Sequence, residues 1–266
     1  MAKLANRVRE VYASEGGMEL ARRSTSYLSR RVKRSYWQAR GQRTKEIRGT
    51  EATFLTEGRS ARSLEIFDTE RTMVADMLSE SRSGDVLVDV GANLGYHSCF
   101  FGNHVADGFV EAFEPAPIVH RRLERNLDLN GVDGNAHRLA LSDTSGSVTL
   151  PADVLSKTVE SDRTVRTATA DELVAGGEIR QPTIVKIDVE GCEPMVVEGM
   201  RNTLSDDRCR LLYCEVHLPG TGPSIEDFGW TRERFESTLA GFGFYLRTIK
   251  RRGNELHLKG AKNDTR

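Results

Sequence analysis

The stretch DVLVDVGANLG, residues 85–95, limits the possible folds of this chain more than any other. Its first part is a short valine-rich run, which is typical of a buried strand, and Gly91 ends that run. A helix-like sequence begins after Gly95. A strand that passes through a glycine turn into a helix is the opening unit of an open α/β sheet. We therefore predict a ligand site at the carboxyl end of this strand.

Strand-like and helix-like runs continue to alternate along the chain. The helix predicted at 116–131 has the clearest pattern, because Pro117 lies near its first turn and Gly131 ends it. Such alternation predicts a parallel sheet that is covered by helices on both faces. The further strands are predicted at 108–115, 135–143, 183–191 and 210–218.

Two regions depart from this alternation. Near the C-terminus, the segments FYLRTIK and ELHLKG are joined through Gly253 and Asn254, which predicts an antiparallel hairpin. The polar, β-prone stretch 145–169 is interpreted as an inserted hairpin or loop over the active face. The predicted fold class is therefore α/β, with a mostly parallel sheet and a C-terminal antiparallel hairpin.

Charge divides the chain into two regions. Residues 1–50 carry thirteen lysines and arginines against four acidic residues, whereas the remainder carries twenty-five against thirty-five. We predict a basic, mainly helical N-terminal extension over 1–58 and a globular domain over 59–266. A basic amphipathic segment suits peripheral contact with an anionic membrane or a partner through residues 1–50, or packing on the domain.

The sequence also bears on location and redox state. It has no apolar run of eighteen residues and no apolar core of a signal peptide near its start, so we expect a cytoplasmic protein, with peripheral membrane contact through the basic arm. The cysteines form no CxxC pair and have no zinc spacing, which predicts reduced and mostly buried thiols. They are Cys99, Cys192, Cys209 and Cys214.

The glycine turn does not fit a dinucleotide. That fingerprint reads G-x-G-x-x-G, but Asn93 stands where the middle glycine belongs. The Asp89 carboxylate would repel a phosphate and suits an ammonium or a sulfonium group. Glu114 ends the second strand, where a carboxylate accepts hydrogen bonds from ribose hydroxyls. A ligand with an unphosphorylated adenosine and an amino-acid end satisfies both carboxylates, and S-adenosylmethionine is such a ligand.

Several blocks together resemble a known family. The blocks VLVDVGANLGYHS, EAFEPAP, ALSD and IVKIDVEGCEPMVVEGM, between Asp85 and His217, are similar to the FkbM family of class I methyltransferases. The resemblance implies a seven-stranded, Rossmann-like sheet that ends in a reversed hairpin strand. It also implies S-adenosylmethionine as methyl donor and hydroxyl groups, often on sugars or natural products, as acceptors. Residues before 60 lie outside the resemblance.

The resemblance further implies roles for single residues on the donor side. The glycine turn would border the methionine end, and the end of the second strand would hold the ribose. The end of the third strand would lie near the adenine, with Leu141 stacking on it. The implied donor-binding residues are Asp89, Gly91, Ala92, Asn93 and Gly95 in the turn, Glu114 and Pro115 after the second strand, and Ala140, Leu141 and Ser142 near the adenine.

Charged residues at the ends of the fourth and fifth strands indicate where the reaction takes place. In KIDVEG, Lys186, Asp188 and Glu190 alternate and would point to one side of a strand. Glu215 and His217 repeat this alternation in the next strand. Charged groups in a buried strand are costly unless they pair or have a function. We expect these side chains to form one polar cluster, with Lys186 in an ion pair.

A hydroxyl acceptor needs a general base within hydrogen-bond reach. We favour His217 as this base because of its intrinsic pKa, and Asp188 or Glu190 are alternatives if burial or repulsion raises the pKa of either carboxyl group. His97 is expected to pack or to cap its helix. The predicted function is therefore methyl transfer from S-adenosylmethionine to a hydroxyl of a glycan, a glycolipid or another small hydroxylated molecule.

Other functions stay open at this point. Asp188, Glu190, Glu215 and His217 could also hold a divalent metal, an alternative that we do not favour. An RNA or protein methyltransferase could use the basic arm, but the net acidic catalytic region suits a polyanion poorly, so a nucleic-acid partner is not favoured. A nicotinamide dehydrogenase lacks support because the middle glycine is missing. A non-catalytic membrane scaffold would leave the charged strand ends unexplained.

Overall fold

The computed structural model describes residue 32 and residues 35–57, 69–150 and 163–263. The strands are β1 (Gln42–Ile47), β2 (Thr50–Leu55), β3 (Val86–Val90), β4 (Phe109–Phe113), β5 (Gly134–His137), β6 (Ala140–Leu141), β7 (Gly146–Leu150), β8 (Arg163–Ala168), β9 (Ile184–Ile187), β10 (Leu211–His217), β11 (Tyr245–Arg252) and β12 (Glu255–Ala261). The helices are α1 (Arg71–Glu80), α2 (Tyr96–His104), α3 (Pro117–Asn130), α4 (Ala170–Ala175), α5 (Glu193–Glu198), α6 (Arg201–Ser205) and α7 (Arg232–Gly241), with a 3₁₀ turn at Ile225–Phe228.

A seven-stranded sheet lies at the centre, in the order β11-β12-β10-β9-β3-β4-β5. The strands β5, β4, β3, β9 and β10 run parallel, and β12 runs antiparallel to both of its neighbours. The predicted α/β class and the C-terminal antiparallel hairpin are confirmed. Because β3 and β9 are adjacent at the centre, their carboxyl ends meet at the point where a ligand binds in such sheets.

Helices cover both faces of this sheet over two separate apolar cores. Neighbouring residues of β3 point to opposite sides, so Leu87 belongs to one core and Val88 to the other. The first core includes Met77 of α1 and Phe100 of α2, and the second includes Phe235 of α7. The central strands are therefore held in place by apolar packing on both faces. This packing fixes the positions of the polar groups at their carboxyl ends.

The N-terminal part differs from the prediction. Residues 42–55 form the antiparallel hairpin β1–β2 rather than helix, although residues 35–40 are helical. Buried Phe54 belongs to the core that contains α2, and Leu55 N donates to Asn126 Oδ1 of α3 at 3.0 Å. The hairpin therefore packs on the globular domain. Residues 1–31 and the boundary predicted at 58 lie outside the described residues.

The third predicted strand, 135–143, is divided between two sheets. Its first part is β5, and Leu139 N then donates to His137 O in a tight turn that leads the chain away from the main sheet. Ala140 and Leu141 pair instead with β8, in a small sheet that also contains β7. Since β7 and β8 pair antiparallel, the hairpin predicted within 145–169 is confirmed, while residues 151–162 lie outside the described part.

Two further findings bear on the remaining predictions. The four cysteines are free, three of them buried and Cys192 half-buried, as expected. Within the described ranges, no helix has both the length and the apolar run needed to cross a bilayer.

Candidate active site

The turn between β3 and α2 needs glycine at two positions. Gly91 has φ +75°, and a Cβ on it would lie 1.9 Å from the carbonyl oxygen of Asp188. Gly95 has φ +80°, and a Cβ there would lie 2.9 Å from Leu123 Cδ1. Positive φ favours glycine, and the close approach excludes a larger residue. The turn therefore lies in direct contact with the end of β9.

Glu114 is held at the end of β4 beside this turn. Its Oε2 accepts a hydrogen bond from Asn93 N at 3.2 Å and its Oε1 accepts one from Ala116 N at 2.8 Å. Burial raises the pKa of Glu114 to about 7, against the two backbone N–H groups, which lower it. The backbone therefore orients both oxygens of Glu114, and contact of this carboxylate with ribose hydroxyls stays a prediction.

Asp89 is fully buried, with a hydrogen bond to one carboxylate oxygen and an ion pair at the other. Ser98 Oγ donates to Asp89 Oδ2 at 2.7 Å, and Lys186 Nζ lies 3.2 Å from Oδ1. The charge expected to face a cationic ligand group is thus balanced from within the protein. Direct contact between Asp89 and a ligand stays a prediction.

Lys186 connects the two halves of the site. Its ammonium donates to Gly91 O at 3.0 Å and lies 3.7 Å from Asp188 Oδ2, which confirms the expected ion pair. Burial alone would lower the pKa of Lys186, but the carboxylates of Asp89 and Asp188 outweigh burial and raise it above its usual value. Lys186 therefore remains a cation between the turn and the end of β9.

Asp188, Glu215 and His217 meet at the carboxyl ends of β9 and β10, and we call this the acceptor face. One ligand atom from each of the three lies within 4.8 Å of the others. Glu190 does not follow the predicted alternation, because β9 ends at Ile187 and Glu190 has φ +51°. Its side chain is 66% exposed, with Oε2 lying 3.7 Å from His217 Nε2.

His217 is paired with a residue that sequence reasoning missed. Its Nδ1 lies 2.7 Å from Oε1 of Glu193, a fully buried carboxylate at the start of α5. Burial lowers the pKa of His217, but the hydrogen bond and charge of Glu193, with Asp188 and Glu190, raise it to about 10. Glu193 therefore engages Nδ1 of His217 and Nε2 lies on the side of Glu190, and the role of His217 as general base stays a prediction.

Further buried polar residues surround the acceptor face. His97 is buried, as expected for a packed histidine, with its Nδ1 lying 3.4 Å from Glu70 Oε2. Burial and Lys186 lower the pKa of His97 to about 3, while burial and the nearby Asp188 raise the pKa of Glu70 well above its usual value. His257 Nε2 lies 3.0 Å from Glu215 Oε2. No motif around Glu70 or His257 indicated these positions.

The remaining residues implied for donor binding lie at or near the strand ends. Ala92 is buried in the turn, and Pro115 is half-buried after β4. Leu141 is buried in β6, and Ser142 N donates to Ala168 O at 3.0 Å in the small sheet. Contact of residues 140–142 with an adenine stays a prediction.

The seven-stranded, mostly parallel sheet with its C-terminal antiparallel hairpin is the Rossmann-like fold of class I methyltransferases. The FkbM methyltransferase domain matches residues 89–256, and the chain belongs to this family. Membership confirms the resemblance and implies S-adenosylmethionine as the donor. The glycine turn, Glu114 and the three residues of the acceptor face all lie within the matched range.

Two relatives share part of the chain. A hexuronic acid methyltransferase, AglP, of Haloferax volcanii is 34% identical over 154 residues, which is 56% of this chain and 62% of the relative. The 31-O-demethyl-FK506 methyltransferase FkbM of Streptomyces tacrolimicus is 40% identical over 67 residues, 25% of this chain and 26% of the relative. The matches thus span less than two thirds of either relative.

A solved structure of precorrin-6y C5,15-methyltransferase from Geobacter metallireducens is also similar. It has a TM-score of 0.47 and 13% identity, over 73% of this chain and 89% of that one.

Proposed function

We propose that this protein transfers a methyl group from S-adenosylmethionine to a hydroxyl of a glycan, a glycolipid or another small hydroxylated acceptor. The observation that carries the proposal is the direct contact between the glycine turn and the acceptor face. A Cβ on Gly91 would lie 1.9 Å from the Asp188 carbonyl oxygen, so the two parts share a boundary. Methyl transfer is an in-line displacement, and such a displacement depends on close alignment of donor and acceptor.

The residues of the chain would then divide the work. S-adenosylmethionine supplies an electrophilic methyl group on a sulfonium and leaves as a neutral thioether. Glu114 would accept hydrogen bonds from both ribose hydroxyls, since backbone N–H groups already orient its two oxygens. Lys186 keeps the turn and Asp188 in register, because it contacts both.

A hydroxyl is a poor nucleophile until its proton is removed, so a base must lie within hydrogen-bond reach. Asp188 fits this role best on geometry. Its side chain is 22% exposed, and its own backbone carbonyl lies against the glycine turn. His217 is buried, and carboxylates lie near both of its ring nitrogens. We assign proton acceptance to Asp188, with Glu190 as the alternative carboxylate and His217 as a group that orients the acceptor.

The negative charge of the acceptor face favours a neutral hydroxylated acceptor over an anionic one. Burial, and next to it the charge of Asp188, raise the pKa of both Glu70 and Glu215, because acidic groups are concentrated there. A polyanion such as RNA would be repelled, whereas sugar hydroxyls donate hydrogen bonds to carboxylates. A relative named as a hexuronic acid methyltransferase supports a sugar acceptor. Because carboxylates on the acceptor face would repel another carboxylate, a hydroxyl is favoured as the group that receives the methyl group.

The test uses purified protein and S-adenosylmethionine with a deuterated methyl group. We expect label in the glycan or glycolipid fraction of a cell extract, in a product that mild alkali does not cleave. Asp188→Asn should lose transfer but still bind S-adenosylhomocysteine, and Asp207→Asn on the exposed surface is the matched control. Alkali-labile label would indicate a carboxylate acceptor, and label in RNA alone would overturn the proposal.

A further inference from the structure

We propose that the acceptor face is a divalent-cation site, formed by Asp188, Glu215 and His217, for an ion of the Mn²⁺ type. One ligand atom of each lies within 4.8 Å of the other two. A six-coordinate ion with bonds of about 2.1 Å separates its ligands by roughly 3 to 4.2 Å. The three ligand atoms therefore need to move toward one another by at most about 0.6 Å to bind such an ion.

The orientation of His217 supports this site. A histidine that binds a metal usually donates its other ring N–H to a carboxylate. His217 Nδ1 faces Glu193 Oε1 at 2.7 Å, and Gly191 N fixes that same oxygen at 3.0 Å. The ring is held so that Nε2 is directed toward the acceptor face, where Glu190 Oε2 lies 3.7 Å away.

Glu215 is also oriented by a buried neighbour, His257 on β12. This imidazole is fully buried and is aimed at Glu215, with Nε2 lying 3.0 Å from Oε2. This contact holds Glu215 in place beside Asp188 and His217, as an oriented carboxylate ligand requires.

Two groups of ligands share Glu215, and the charges around them decide between the two. Glu215, Glu255 and His257 also lie within 4.8 Å of one another. Arg252, however, pairs with Glu255 and lies 3.8 Å from Glu215 Oε1. Its guanidinium therefore already balances the negative charge of the group that contains Glu255. On the other side, Lys186 makes its shorter contacts to Asp89 and Gly91 and lies 3.7 Å from Asp188. The cation is therefore assigned to Asp188, Glu215 and His217.

The chemistry of the three ligand side chains also indicates which kind of ion binds. One imidazole nitrogen with two carboxylates suits Mn²⁺ or Fe²⁺ rather than Ca²⁺, which prefers oxygen ligands throughout. The role of the ion in the reaction rests on the proposed function: it would coordinate the acceptor hydroxyl and lower its pKa. The hydroxyl proton then passes to the free oxygen of Asp188. The oxygen lone pair forms the bond to the methyl carbon as the carbon–sulfur bond breaks, and that electron pair stays on sulfur.

The test measures the metal alone, without donor or acceptor. Full-length protein treated with EDTA is titrated with MnCl₂, and free Mn²⁺ is followed by electron paramagnetic resonance. We expect stoichiometric binding, weakened at least about tenfold in Glu215→Gln and in His217→Ala. Glu255→Gln, in the competing group, is the matched control and should bind as the native chain does.

Two outcomes would overturn the site. They are no binding to the native chain at millimolar Mn²⁺, and equal binding by Glu215→Gln, His217→Ala and the native chain. Binding of S-adenosylhomocysteine by each variant shows that it has folded. Loss of Mn²⁺ binding in these variants with methyl transfer intact would reject the role of the ion in the reaction and leave the proposed function standing. Mn²⁺ binding by the native chain without methyl transfer to any acceptor would support the site and reject the proposed function.

Discussion

The ammonium group of Lys186 donates to the carbonyl oxygen of Gly91 at 3.0 Å. This bond joins the strand that carries the acceptor face to the turn that borders the donor site. Lys186 also lies 3.2 Å from Asp89, whose carboxylate is fully buried. One buried side chain thus sets the spacing between the two halves of the site.

Lys186→Met should lower the free energy of unfolding by about 3–5 kcal/mol, because Asp89 is left as a buried charge without its partner. Urea unfolding measures the change. The double variant Asp89→Asn/Lys186→Met removes both charges and should recover a large part of the loss. A single variant as stable as the native chain would contradict the role of this pair.

Gly91→Ala should abolish binding of S-adenosylhomocysteine, because the new Cβ would lie 1.9 Å from the Asp188 carbonyl oxygen. Gly253→Ala is the control: it has φ +61°, and apart from its two chain neighbours no described residue has a heavy atom within 4 Å of its Cβ position. The control should cost only about 1–2 kcal/mol, from the left-handed backbone alone. Calorimetric titration and thermal unfolding of both variants check this difference, and equal effects would argue against the close contact.

Donor binding should weaken as the pH falls through 7. Burial raises the pKa of Glu114 to about 7, so its carboxyl group is protonated below that pH and accepts fewer hydrogen bonds. Because the ligand hydroxyls favour the charged form, the affinity for S-adenosylhomocysteine should be about tenfold lower at pH 6 than at pH 8. Titration calorimetry across this range measures it. Glu114→Gln should bind weakly with a flat profile, and an unchanged slope in that variant would assign the effect to another group.

The hairpin β1–β2 should be needed for a stable domain. Phe54 is fully buried, with its ring centroid 5.7 Å from that of Tyr96 and 6.1 Å from that of Phe100. Phe54→Ala should cost about 3–5 kcal/mol. A chain that starts at residue 59 should have a lower melting temperature than one that starts at residue 35. Equal melting temperatures would favour the boundary predicted from charge.

The sequence predicts the parallel strands well, because valine-rich runs next to glycine turns have few other conformations. It misleads at 42–55, where arginines and lysines suggest a continuation of the basic helix. The turn at Arg48 and Gly49, with φ of 52° and 76°, is a two-residue hairpin turn, and the following glycine was a usable signal.

The candidate site shows a similar division. Asp188, Glu215 and His217 could be placed together because adjacent parallel strands end at the same edge of the sheet. Glu193 and His257 could not, since each depends on a packing detail beyond strand order. His257 lies opposite Glu215 only through the pairing register of β10 and β12, and the contact of Glu193 with His217 depends on how the start of α5 packs against β10.

The position of β12 between β10 and β11 has a consequence for synthesis of the protein. β3 and β4, with the donor turn, leave the ribosome long before Glu255–Ala261 is translated. Until that last strand inserts, β10 presents an open edge with unpaired backbone groups, and Glu215 lacks its neighbour His257. The glycine turn can therefore form before β12 is translated, whereas the contact between Glu215 and His257 can form only afterwards.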